Sequence, residues 1–271
     1  MRKCLKCGQT TSTTMRKNMC CKCYTKDYRE KNHKYSDRHY AYENINFTYF
    51  DSDTPSVSYF LGLIHSDGYL VDVKSRKGDK CQNKVGISMV DKDMVQLLSK
   101  ELNAEFLYRT IRENDKYKNS QGFLEISSDE LYNSLSRRNI DNLKTYYQKV
   151  SNTNYIWHYL RGLFDGDGGI SKKDFKWNLT VSGDSMRDWL ITLFNQEDIE
   201  YQFICTKYRN DTITLYRFFG KGGLKSYIRF LDKLYNDCGI YRLNRKYELY
   251  LKAKDKLSTK RTHPNKDDNI V

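Results

Sequence analysis

Between residues 50 and 257 the apolar positions run twice through the same order of periods. In the first stretch a 3.6-residue period over 55–65 predicts a helix. Thr54 suits its N-cap and Pro55 its first position, where a missing N–H costs nothing. Strand-type runs follow over 69–74 and 84–89, then a helix over 92–102 with Met94, Leu97, Leu98 and Leu102 on one face. Strands over 106–112 and 123–127 and a helix over 129–138 complete it. The second stretch predicts a helix over 155–164, strands over 169–171 and 177–182, and a helix over 185–195. Strands over 201–208 and 212–218 and a helix over 224–236 end it. Each half reads αββαββα, an α+β class built as a pseudo-symmetric pair, with halves at 50–150 and 151–257. The polar, tyrosine-rich stretch 26–49 is expected to be a basic linker or arm, and 258–271, without apolar periodicity, a disordered tail.

The two opening helices end alike. Residues 60–68 read FLGLIHSDG and residues 160–168 read LRGLFDGDG, with Gly62 and Gly162 inside the helices and Asp67 and Asp167 before the closing glycines. Glycine inside a helix costs about 0.5–1 kcal/mol relative to alanine, so its recurrence calls for a compensating close backbone approach. Helices packed side by side would bring Asp67 and Asp167 together. There the two carboxylates repel each other and oppose the helix dipole, penalties that a divalent cation relieves. Hard oxygen donors of this kind suit Mg²⁺. An Asp-Gly turn alone is an ordinary helix exit. Its repetition in the same place, between an apolar helix and a strand, favours the metal site.

Charge narrows the class of partner. The 271 residues carry 47 Lys+Arg against 34 Asp+Glu, a net charge of +13, which favours a polyanion. No apolar run approaches the roughly 20 residues of a membrane span, and no signal segment follows the amino terminus, so a cytoplasmic protein is expected. Eleven lysines and arginines against three acids lie in residues 1–40.

Five of the eight cysteines lie there too, whereas Cys81, Cys205 and Cys238 are scattered. Cys4 and Cys7, then Cys20 and Cys23, make two CxxC pairs twelve residues apart, a spacing that suits four-thiolate Zn²⁺ and a small module over 1–25. Cys21 is an alternative ligand that would shift the second pair.

The two acidic segments resemble the motifs of the LAGLIDADG homing endonucleases in their single-chain, two-motif form, over about residues 50–257. Residues 154–170 (NYIWHYLRGLFDGDGGI) and 235–249 (YNDCGIYRLNRKYEL) resemble the second-motif entry and the closing segment of that family. The resemblance implies site-specific double-strand DNA cleavage by a monomer that binds a long target. Asp67 and Asp167 would hold Mg²⁺, with the backbone carbonyls of Ser66 and Gly166 as further ligands. Lys144 (in NLKTYY) and Lys246 (in NRKYEL) would stand near the reacting phosphate, with Arg245 an alternative to Lys246. His65 departs from the pattern, since its counterpart in the second copy is Asp165. A structural or phosphate-contacting role is expected for it.

The same resemblance implies two saddle-shaped antiparallel sheets lying in the major groove. Alternation splits residues 201–208 into Gln202, Ile204, Thr206 and Tyr208 on one face and Tyr201, Phe203, Cys205 and Lys207 on the other. The first set is expected to face DNA and the second to pack. Lys84, Arg109, Arg112, Arg209 and Arg217 are further DNA-contact candidates. A non-cutting relative that acts as an RNA maturase or a DNA-binding regulator is the alternative, since it would share fold, charge and cysteines.

Overall fold

A computed structural model describes residues 2–11, 18–20, 23–24, 44–72, 83–104, 107–109, 121–144, 146–209 and 212–262. The chain divides into two units, residues 1–45 and 46–271. In the first, strands β1 (Arg2–Lys3) and β2 (Thr10–Thr11) pair antiparallel across a turn in which Gly8 adopts a φ of 73°.

The second unit contains the αββαββα order twice. The first copy comprises α1 (Pro55–Asp67), β3 (Gly68–Val71), β4 (Lys84–Met89), α2 (Lys92–Glu101), β5 (Leu107–Arg109), β6 (Gln121–Ser127) and α3 (Asp129–Arg137). The second comprises α4 (Ile156–Asp167), β7 (Gly168–Ile170), β8 (Trp177–Ser182), α5 (Asp184–Gln196), β9 (Tyr201–Tyr208), β10 (Ile213–Gly220) and α6 (Leu224–Tyr235). The two antiparallel sheets have matching orders, β3-β4-β6-β5 and β7-β8-β10-β9.

Local chemistry accounts for the helix starts. The Thr54 hydroxyl accepts from Val57 N at 3.3 Å ahead of Pro55, and Ser128 Oγ accepts from Leu131 N at 3.1 Å at the start of α3. Several ends differ from the periodicity. Helices α1 and α4 continue to Asp67 and Asp167, so each aspartate sits on a helical last turn and not in the following loop. Polarity hides this turn, because the apolar face has already ended. Residues 73–82 and 110–120, including Arg112 and Cys81, lie outside the described residues.

A last helix, α7 (Asn244–Thr262), follows α6. Residues 258–262 therefore extend a helix where a disordered tail was expected, and 263–271 lie outside the described residues. The interior stripe of α7 is Tyr250, Ala253 and Leu257, too weakly apolar to stand out among its charges.

Each sheet turns one face to the helices. In the first half Val85, Ile87, Leu124 and Ile126 pack with Phe50, Phe60, Leu98 and Leu131 in the buried core. The second half uses rings: Trp177, Phe194, Phe218 and Phe230 are fully buried, with Trp177 and Phe230 centroids 4.2 Å apart. Between the halves, Arg138 donates to the carbonyls of Phe50, Asp51 and Ser52 and, at 2.6 Å, to that of Asn152. Asp53 accepts from Thr153 Oγ1 at 2.7 Å and from the backbone and side chain of Asn154.

Candidate metal centre at the paired helix ends

Helices α1 and α4 meet at backbone distance. A side-chain carbon on Gly62 would collide with the Tyr159 carbonyl and lie 2.7 Å from Leu163 N. One on Gly162 would collide with the Tyr59 carbonyl and lie 2.7 Å from Leu63 N. One turn further on, Gly166 faces Ser66: a carbon there would stand 2.5 Å from Ser66 Cβ and 3.3 Å from Asp67 Cγ. The Asp67 carboxylate thus lies against the backbone of the segment that carries Asp167. Ser66 Oγ turns back onto its own helix, donating to Gly62 O and Leu63 O at 3.1 and 3.0 Å.

Asp67 and Asp167 are exposed on the surface, yet their carboxyl groups are desolvated by the protein around them. Neither takes part in a hydrogen bond or ion pair among the described residues, although the surrounding side chains are densely bonded. Burial pushes the Asp167 carboxyl up to about 6, and the negative charge of Asp67 adds to the shift. Asp67 is raised by burial as well, with Lys246 and Lys144 opposing the rise. Two unpartnered carboxylates held together at this cost are a fitting set of hard oxygen donors for a divalent cation.

Both lysines named by the sequence stand beside this pair, and both are buried. Lys144 Nζ donates to the carbonyls of His65 at 2.8 Å and Ser66 at 3.0 Å. Lys246 Nζ donates to the carbonyls of Phe164, Asp165 and Gly168 at 2.5, 2.7 and 2.7 Å. Burial lowers each to about 8, with the neighbouring aspartates opposing the drop. Each lysine thus satisfies orphan carbonyls at the end of the helix that carries an aspartate. Arg245 pairs instead with Asp91, Nε to Oδ1 at 3.0 Å, which leaves Lys246 as the nearer of the two candidates. A cavity of about 240 Å³ opens beside Asp167, lined by His65, Ser66, Lys144, Gln148, Thr180 and Ser182 among others.

The departure at His65 is accommodated in the core. His65 is fully buried, and its Nδ1 lies 2.6 Å from Tyr159 Oη. Burial and the charge of Lys144 hold it down to about 3, so the ring is neutral. Asp165 occupies the equivalent place and accepts from Tyr59 Oη and Leu243 N, both at 2.9 Å. Tyr59 and Tyr159 were not singled out by motif reading, yet they share the spacing of 100 residues that relates the aspartates. Arg161 was also missed. It is fully buried and donates to the carbonyls of Tyr241 and Leu234 at 2.8 Å.

The β9–β10–β8 register puts Gln202, Ile204, Thr206 and Tyr208 on the face shared with Arg217 and Thr180, away from the helices. Arg217 Nε donates to Thr180 Oγ1 at 3.2 Å, and Arg209 follows β9 with a φ of 49°. The opposite set packs less than alternation alone implies. Phe203 meets Phe218 with centroids 5.2 Å apart, but Cys205 and Lys207 are exposed, because β9 is an edge strand that outruns the helix layer. In the first sheet Lys84 shares the outward face with Tyr69 and Glu125 and pairs with Glu125 at 2.9 Å, while Tyr69 donates to the other Glu125 oxygen at 2.7 Å. The backbone of Arg109 is on β5, in register with Gln121.

In the amino-terminal unit the sulfur atoms of Cys4, Cys7, Cys20 and Cys23 all lie within 4.8 Å of one another. The Cys7–Cys20 separation is 3.8 Å, the edge of a tetrahedron with metal–sulfur bonds of about 2.3 Å. Cys20 N donates to Cys4 Sγ at 3.2 Å, and this N–H leads the interactions that hold the Cys4 thiol down to about 6. Cys21 lies outside the described residues.

No protein-family profile matches the chain, and no curated protein is similar to it in sequence. The chain is similar to several solved structures. I-DmoI in complex with DNA and Mn is 18% identical over 70% of this chain and 98% of that one, with a TM-score of 0.45. The homing endonuclease I-WcaI bound to its DNA recognition sequence is 14% identical over 72% and 85%, at 0.49. Full-length DUF199/WhiA from Thermatoga maritima is 17% identical over 79% and 64%, at 0.45.

Proposed function

We propose that this chain is a site-specific, metal-dependent double-strand DNA endonuclease of the LAGLIDADG homing type. The observation that carries the reading is the pair of unpartnered aspartates, Asp67 and Asp167, brought together by two helices that touch at Gly62 and Gly162. Their carboxylates, with the carbonyl oxygens of Ser66 and Gly166, would hold Mg²⁺. When bound, the cation supplies Lewis-acid stabilisation of phosphate charge and an acidified water.

The protein's own residues fix the geometry. Lys144 and Lys246 lock the helix ends, and the tight α1–α4 contact keeps the carboxylates from drifting apart. In the reaction water adds to phosphorus and the P–O3′ bond breaks, leaving a 5′-phosphate and a 3′-hydroxyl. One aspartate from each half, serving one strand each, lets a monomer cut both strands.

The outward sheet faces, with Lys84, Arg109, Gln202, Thr206, Tyr208, Arg209 and Arg217, would follow the major groove of a long target. Arg112, outside the described residues, belongs to the same proposal. The four-cysteine unit would carry Zn²⁺ and extend the contact through its basic charge.

Cleavage of a randomised double-stranded DNA library in Mg²⁺ tests the reading, with Asp67→Asn and Asp167→Asn alongside the wild type. Discrete cuts that either substitution reduces to nicks or abolishes are expected, a loss of about 10²-fold or more. Specific binding without cutting in Mg²⁺ or Mn²⁺ would overturn the nuclease and favour a maturase or regulator.

A further inference from the structure

Among the described residues, Glu125 is the one acid that the strands of the two sheets turn away from the helices, on faces otherwise basic or neutral. Three strands build its place. Tyr69 on β3, Gly86 on β4 and Glu125 on β6 share one row of the register, and Tyr69 reaches across the glycine to donate to Glu125 Oε2 at 2.7 Å. A side-chain carbon on Gly86 would collide with the Tyr69 ring and hydroxyl. From the neighbouring row Lys84 Nζ donates to Glu125 Oε1 at 2.9 Å, a diagonal contact on the same face. Both side chains of this pair are partly exposed. An exposed ion pair adds little stability, so stability gives weak reason to set a carboxylate on a surface that would meet phosphates.

We infer that the Lys84–Glu125 pair reads one C·G base pair, with Glu125 accepting from cytosine N4 and Lys84 donating to guanine O6 or N7. The inference rests on the DNA-binding part of the reading above and deepens it. In the major groove cytosine presents an N–H donor, and guanine presents two acceptors, O6 and N7. Cytosine N4 and guanine O6 are joined by a hydrogen bond of about 2.9–3.0 Å, and Lys84 Nζ and Glu125 Oε1 stand 2.9 Å apart. The ion pair therefore matches the edge of that base pair in sign and in spacing. Guanine or thymine opposite the carboxylate would set acceptor against acceptor, and adenine places its N7 acceptor beside its N6 donor. Tyr69 is a positioning residue, whose hydroxyl aims the carboxylate.

The test uses the full chain and a randomised duplex library, sequencing the molecules bound in Ca²⁺ and, separately, those cut in Mg²⁺. The wild type is expected to fix a C·G pair at one position on one flank of the site, by about 5–150-fold over the other pairs. Glu125→Gln should move that position toward A·T, since an amide pairs with adenine N6 and N7. The exchange Lys84→Glu with Glu125→Lys keeps the ion pair and the net charge, and should invert the preference to G·C at the same position. Tyr69→Phe should weaken the C·G preference there and leave the other positions as they were.

Unaltered preferences in Glu125→Gln, or a change spread evenly over all positions, would overturn the inference and make the ion pair a brace of the sheet. If the exchanged variant proves insoluble, Glu125→Gln and Tyr69→Phe decide. A shifted preference among bound duplexes with no cutting in Mg²⁺ would uphold the reader and sink the nuclease, and cutting with unshifted preferences would do the reverse. Binding without any sequence preference would overturn both.

Discussion

Tyr159 Oη lies 2.6 Å from His65 Nδ1, and 100 residues earlier Tyr59 Oη donates to Asp165 Oδ2 at 2.9 Å. Each tyrosine reaches from its own helix to the position two residues before the other helix's terminal aspartate, so the two contacts are related by the pseudo-symmetry and differ in the group the hydroxyl meets. The neutral imidazole fills the place of a carboxylate without altering the crossing. Removal of the hydroxyl in Tyr159→Phe leaves a buried ring nitrogen without its partner, at a cost of about 1–3 kcal/mol. Urea denaturation should show that loss. Combining Tyr159→Phe with His65→Leu, which removes both polar groups, should recover part of it, and a strictly additive loss would rule out the pairing.

The glycine contact makes an opposing pair of expectations. Helix propensity alone says that Gly62→Ala or Gly162→Ala should stabilise by up to about 1 kcal/mol. The facing backbone says the reverse, because the new carbon has only a carbonyl and an amide to displace. Overpacking of that kind costs about 1–3 kcal/mol, so each variant should melt below the wild type and lose cleavage as the carboxylates separate. A melting temperature at or above the wild-type value would mean that the helices do not meet there.

Asp51 gives a pH signature that does not involve Asp67 or Asp167. Burial alone would raise its carboxyl, but hydrogen bonds from Arg137 and Ser134 outweigh it and hold the pKa below the ordinary value. A depressed folded pKa adds stability that is complete above the unfolded value of about 3.9 and disappears as pH falls through the lower folded value. Both side chains are partly exposed, so the increment is about 1 kcal/mol or less. Melting curves of wild type and Asp51→Asn should differ at pH 6 and converge as the pH falls below about 3.9. A constant difference across that range would refute the assignment.

The cysteine unit should hold one Zn²⁺ per chain. Metal analysis after dialysis is expected to find it in the wild type and in Cys205→Ser, whose sulfur lies on β9, and to find it lost or strongly weakened in Cys4→Ser and Cys20→Ser. Full retention in Cys4→Ser would exclude the four-thiolate site.

Local periodicity carried the αββαββα order, because each helix and strand buries one face and the repeat shows in apolar spacing. It carried Asp67 and Asp167 because duplication printed the same motif twice. What it lacked depends on contacts between distant segments. The crossed Tyr59–Asp165 and Tyr159–His65 pairs join residues 106 and 94 positions apart, and the clasp of Lys246 joins α7 to the end of α4. Helix α7 escaped notice because tyrosine, alanine and the buried stem of Lys246 form its inner side. The exposed second face of β9 escaped because alternation describes a strand's two sides and not how far the helices reach along it.

The backbone contact at Gly62 and Gly162 acts as a ruler. With no side chain between the helices at that point there is no compressible layer, so the span between the two carboxylates, and in the proposed nuclease the offset between its two cuts, is set by the thickness of the polypeptide itself. The sheets are free of that constraint, since their outward residues sit on strands that can be rewritten one position at a time. On the nuclease reading proposed above, the choice of target and the geometry of the cut are therefore separable, and a redesigned groove should inherit the original stagger.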